Sequence, residues 1–144
     1  MRELVVEIEG LEPGHPVTVA LVADLTIGED LERECKRTAA QYGYYAVLAE
    51  KAEARIKRSK LTFEMWKAET EDRIVADAGG AGKFKRVKDL TRELIKLPRY
   101  AAFVRRIIQH EEEAGIMKQV AKAFEHKKDL VQTCNANRRS EMKG

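Results

Sequence analysis

LERECKRTAAQYGYYAVLAEKAEARIKRSKLTFEMW, residues 31–66, decides the fold. Read alternately four and three residues apart, it gives Leu31, Cys35, Thr38, Tyr42, Tyr45, Ala49, Ala52, Ile56, Ser59, Phe63 and Trp66, with no charged residue on the stripe. A 3-4 rhythm of that length predicts a long helix packed along another helix with coiled-coil geometry. It disfavours compact enzyme folds, because a chain that is mostly long helix has little interior for a pocket.

The partner helix is found near the C-terminus. From about Arg99 to Asn135 the same rhythm gives Phe103, Ile107, His110, Ala114, Met117, Ala121, Phe124 and, after Lys128, Val131. The first helix is expected over about 29–76, roughly 70 Å at the usual rise per residue. Gly28 precedes it, and Glu29 with Asp30 places negative charge at the positive end of its dipole. A short helix is expected at about 87–96, closed by Leu97-Pro98, since the residue before proline avoids helical geometry. Two long helices joined by one reversal make an antiparallel helical hairpin.

Residues 1–28 read differently. Residues 3–8 and 17–27 are rich in β-branched side chains, and Gly10, Pro13, Gly14 and Pro16 break the chain between them. They predict a β-hairpin that packs on the helices or on another subunit, since an isolated hairpin is marginal in water. The expected organisation is therefore mainly α: an N-terminal β-hairpin over 1–28, then a helical domain over 29–144 with a linker at 77–86.

Composition agrees. Charged residues make up 35% and aromatics 6% of the 144 residues, which suits amphipathic helices that bury one narrow face each. Self-association through the two stripes is expected, with Leu31, Tyr42, Tyr45, Ile56, Phe63, Trp66, Phe103, Ile107, Met117 and Phe124 as its core. The net charge of +3 is unevenly spread: −4 over residues 1–28, −1 over 29–82 and +8 over 83–144. That polarity points to an anionic partner for the C-terminal half. Cys35 and Cys134 lack metal spacing and fall on apolar helical positions, so both are expected to be buried free thiols in a reducing compartment. No apolar run is long enough for a signal peptide or a membrane span, and the chain is read as cytoplasmic.

No catalytic constellation is visible, and neither a metal nor a cofactor is implied. ADAGGAGK at 76–83 lacks the Gly-x4-Gly-Lys-Ser/Thr spacing of a phosphate loop and the strand before it. Glu111, Glu112 and Glu113 beside His110 point in different directions on a helix and cannot converge on one ion. What remains is four basic groups. They are Arg55, Lys57, Arg58 and Lys60; Lys83, Lys85, Arg86 and Lys88 around Phe84; Lys118, Lys122, Lys127 and Lys128; and Arg138, Arg139 and Lys143. Such clusters attract phosphates irrespective of sequence, and neighbouring aromatics can stack on unpaired bases. Phe63 and Trp66 lie on the core stripe, which favours packing over stacking.

RSKLTF at Arg58–Phe63 is similar to the basic-x-basic-Leu-x-aromatic segment of phage recombination mediators of the UvsY type. KQVAKAFEHKKDLVQTCNANRRSE, at the C-terminal end, resembles theirs: an apolar helix, a basic step before Asp-Leu, then an Asn-containing turn with an Arg pair. The resemblance covers roughly residues 29–140, while residues 1–28 have no clear counterpart and the inter-helix segment is more basic. It implies a ring-shaped homo-oligomer that binds single-stranded DNA, helps displace single-strand-binding protein and loads a phage recombinase in the host cytoplasm. Arg58 and Lys60 would be its DNA-binding cations, with Leu61 and Phe63 the apolar members. The alternative is a structural or assembly adaptor of a virus, which uses the same stripes and needs no DNA. A duplex-binding regulator is disfavoured, since no short helix-turn-helix pair is visible.

Overall fold

The computed structural model describes residues 2–12, 14–79 and 87–143, with the backbone alone at 87 and 88. In chain order the elements are β1 (Val5–Glu9), β2 (Pro16–Ala20), α1 (Leu21–Leu25), α2 (Leu31–Asp77), α3 (Val87–Ile95) and α4 (Pro98–Lys143). The chain divides into two compact units. Unit 1 comprises Met1–Ala52 with Glu113–Gly144, and unit 2 comprises Glu53–Glu112.

In unit 1, β1 and β2 pair antiparallel, Val5 opposite Ala20 and Glu9 opposite Pro16. Period-2 alternation puts Val6, Ile8, Val17 and Val19 on one face, and Ile8 and Val19 are buried. Gly14 turns the chain at φ +80°, where a Cβ would be strained. The expected hairpin is thus present, but its second strand is shorter than the sequence suggested. Residues 21–25 coil into α1 because carboxylates occupy the backbone donors a strand would have used. Glu3 accepts from the N–H groups of Val22 (2.7 Å) and Ala23 (3.0 Å), and Asp24 accepts from that of Ala20 (3.2 Å). Thr26 Oγ1 closes the turn by donating to the Val22 carbonyl at 2.6 Å.

The N-terminal part of α2 and the C-terminal part of α4 run antiparallel in this unit. Cys35 lies beside Asn135, whose Nδ2 donates to its Sγ at 3.6 Å. Tyr45 stacks on Phe124, ring centroids 4.5 Å apart. Asp30 opens α2 by accepting from the Arg33 N–H at 3.2 Å, as a helix-capping aspartate does. Leu48, Ala52, Ala114, Met117, Val120, Ala121 and Val131 complete the core.

Two charged residues lie in that core. Lys127 is 3% and Glu34 6% exposed. Lys127 Nζ donates to the Asp24 carbonyl at 2.6 Å and stands 3.3 Å from Glu34 Oε2. One lysine on α4 therefore fastens α1 and α2 together. Arg37 lies 3.7 Å from the other Glu34 oxygen. Burial pushes the Glu34 carboxyl up, but the Gly28 N–H, Lys127 and Arg37 outweigh it and hold the group below the ordinary glutamate value of 4.5. Its stabilising contribution is therefore complete above pH 4.5 and is lost as the pH falls through the lower, folded-state value. Far-UV circular dichroism against pH is expected to show the loss below pH 4.5 in the native chain and to lose that component in Glu34→Gln. An acid transition unchanged by Glu34→Gln would contradict this assignment.

Unit 2 is built round an aromatic cluster. Phe63 lies 5.5 Å from Phe103 and 5.2 Å from Tyr100, and Trp66 lies 5.2 Å from Phe103. Ser59 Oγ and His110 Nδ1 share a hydrogen bond of 2.7 Å, again pairing α2 antiparallel with α4. Leu94 of α3 is buried, and Pro98 takes the first position of α4, where a missing N–H costs nothing. Gly79, at φ +88°, follows the end of α2 in the left-handed conformation typical of helix termini.

Two expectations are corrected. The last helix runs on to Lys143, so the Asn-containing segment before Arg138 and Arg139 is helical and not a turn. Cys134 is exposed and Cys35 only partly covered, so neither is a core thiol. The two stripes also meet within the chain, Tyr45 against Phe124 in unit 1 and Phe63 against Phe103 in unit 2.

Candidate nucleic-acid interface

Charge separates with the units. Unit 2 carries fifteen Lys and Arg against ten Asp and Glu, a net of +5, which leaves twelve against fourteen, or −2, for unit 1. Two helical runs of unit 2 carry three or more cations and no acid: Ala54 to Phe63 on α2 and Pro98 to His110 on α4.

The first run holds the sequence-predicted site. Lys57 and Arg58 are exposed, and no carboxylate pairs with either among the described residues. Lys60 is exposed but lies 3.4 Å from Glu111, so its charge is partly answered. Arg55 is half-buried and engaged. Arg58 shares its helix face with Leu61 and Met65, three and seven residues on, which are 62% and 56% exposed. Apolar surface beside a free guanidinium is available to unstacked bases. Phe63 is not, since it packs against Phe103 and carries Lys67 Nζ over its ring at 4.5 Å.

The second run was not anticipated. Arg99, Arg105 and Arg106 are exposed and likewise lack an acidic partner among the described residues. They are scattered in sequence, so they do not register as a cluster, yet Arg99 and Arg106 are seven apart and share a face. The aromatic cluster lies between the two runs, because Phe63 belongs to α2 and Phe103 to α4.

Lys83, Lys85 and Arg86, with Phe84, lie outside the described residues, as does the Lys88 side chain. The third basic group does not survive as a surface. Lys127 is the buried cation of unit 1, and Lys128 is drawn over the Tyr42 ring at 4.6 Å and towards Asp129 at 3.7 Å. Lys118 and Lys122 remain exposed. In the tail Arg139 stands 3.8 Å from Glu32.

Among the described residues no group of His, Cys, Asp and Glu is placed to hold a metal, and no helix is long and apolar enough to cross a membrane. Comparison of the chain with family models, curated proteins and solved structures gave no match.

Proposed function

We propose that the chain is a single-stranded-DNA-binding accessory protein of phage homologous recombination and replication. In this reading it acts in the host cytoplasm, does no covalent chemistry and helps load a strand-exchange recombinase where single-strand-binding protein must be displaced. The observation that carries the DNA-binding part is the set of exposed cations on the two long helices of unit 2 that lack acidic partners among the described residues: Lys57, Arg58, Arg99, Arg105 and Arg106. Guanidinium and ammonium groups in that number neutralise phosphates irrespective of sequence. Exposed Leu61 and Met65 beside Arg58 favour an unpaired strand, whose bases offer their faces, over a duplex, whose bases are stacked away.

The recombinase and ring-oligomer parts rest on the UvsY-type resemblance. With the stripes packed inside the chain, a second copy would use the apolar residues left exposed on the long helices, among them Val47, Ile108, Ile116 and Leu130. The same residues support the alternative, a non-enzymatic assembly adaptor. The absorbance ratio at 260 and 280 nm of the purified protein is a first discriminator, since only a nucleic-acid binder carries nucleotide through purification.

A double substitution, Lys57→Ala with Arg58→Ala, is expected to lower the slope of log affinity against log salt by about 1.4, at about 0.7 per phosphate contact on a single strand. Helicity is expected to be unchanged, because both side chains are solvent-facing. Lys60→Ala is expected to do less than Arg58→Ala, since Glu111 already answers that charge. Fluorescence anisotropy of a labelled single strand measures all three, and an unchanged slope in the double variant removes α2 from the interface.

A further inference from the structure

Arg99, Ala102, Phe103 and Arg106 line an open concavity of about 190 Å³ on α4. Their spacing of three, four and seven residues puts all four on one helix face. Small-molecule sites usually enclose ~300–1,000 Å³. This hollow is smaller, which suits one flat group of a longer ligand better than a free cofactor.

Its chemistry is specific. The two arginines stand about 10 Å apart along the helix axis, and neither has an acidic partner among the described residues. Between them the half-buried Phe103 ring is held by Phe63 at 5.5 Å and Trp66 at 5.2 Å, so it is in place before any ligand arrives. A fixed aromatic between two unpaired guanidiniums recognises a planar group with an anion on each side. In a single strand that unit is a base with its flanking phosphates. An acidic peptide offers the anions but no flat group for the hollow.

We infer that this concavity is a nucleotide subsite, with one unstacked base against Phe103 and the neighbouring phosphates on Arg99 and Arg106. The inference rests on the strand-binding reading and adds to it a base contact on α4. Trp66, the single tryptophan, reports on it because its ring abuts Phe103.

The test titrates the full chain with a labelled oligothymidylate and with an abasic strand of the same length, following anisotropy and Trp66 emission together. Both strands are expected to bind at low salt, and only the base-bearing one to change Trp66 emission. Arg99→Ala with Arg106→Ala is expected to keep its circular dichroism, lose the emission response and bind roughly tenfold more weakly as two phosphate contacts go. An equal response to the abasic strand, or a full response in the double variant, overturns the subsite and leaves strand binding standing. A larger response to a poly-glutamate peptide than to oligothymidylate also overturns it, reassigning the hollow to acidic protein. Absence of binding to either strand overturns the strand-binding reading and the subsite with it.

Discussion

Lys127→Ala is expected to destabilise the chain by about 3–5 kcal/mol, the cost of removing one partner from a buried ion pair. The substitution leaves Glu34 in the core with only the Gly28 N–H and the half-exposed Arg37 to answer its charge, and it releases the Asp24 carbonyl from its 2.6 Å hydrogen bond. Arg37 pulls the value towards the lower end of that range. The pair itself contributes much less than its disruption costs, because both ions were first taken out of water. The double variant Lys127→Met with Glu34→Gln is therefore expected to lie well above the single variant in stability and near the native chain. Urea unfolding followed by circular dichroism measures both. A cost below about 1 kcal/mol for Lys127→Ala, the range of an exposed pair, would show that Lys127 reaches solvent.

The second large effect is expected at Phe124. Its side chain is fully buried and stacked on Tyr45 at 4.5 Å, so Phe124→Ala removes both the transfer energy of the ring and its aromatic contact. About 3–5 kcal/mol is the usual cost of such a truncation. Phe124→Leu, which refills most of the space, is expected to cost less than half as much. Met142→Ala on the same helix lies at an exposed position and is expected to fall within about 0.5 kcal/mol of the native chain. Similar costs at Phe124 and Met142 would contradict the packing of α2 on α4 in unit 1.

The register of the two long helices was legible because it depends on many residues at once. Not one of the eleven stripe residues from Leu31 to Trp66 is exposed. The stripe nevertheless missed Leu48, which is fully buried, and Glu34 and Lys127. A charged side chain beside an apolar stripe reads as the solvated edge of a helix, and only a partner far along the chain reverses that reading. The short helix α1 was hidden for the same reason. Its capping carboxylate comes from Glu3, nineteen residues before Val22, whereas the local sequence is rich in the β-branched residues of a strand. At the candidate interface the clustered cations of α2 were visible as a run, while those of α4 emerge only when residues are sorted by helix face. Local clustering also misled, because Lys127 and Lys128 look like a surface pair and are held inward and over an aromatic ring.

Two kinds of partner are proposed for unit 2, because a basic helix face attracts any anion and exposed apolar residues attract any apolar surface. Salt separates them. Strand binding releases condensed counterions and weakens steeply as salt rises, whereas an apolar protein contact does not. The most direct measurement is therefore the anisotropy of a labelled single-stranded oligonucleotide titrated with the full chain at several salt concentrations. Sequence-indifferent binding that tightens at low salt is predicted, with a slope between about −2 and about −3.5, about 0.7 for each of three to five phosphates met by Lys57, Arg58, Arg99, Arg105 and Arg106. No binding at the lowest salt would contradict it, leaving those cations as solvated helix faces and the chain as an assembly adaptor.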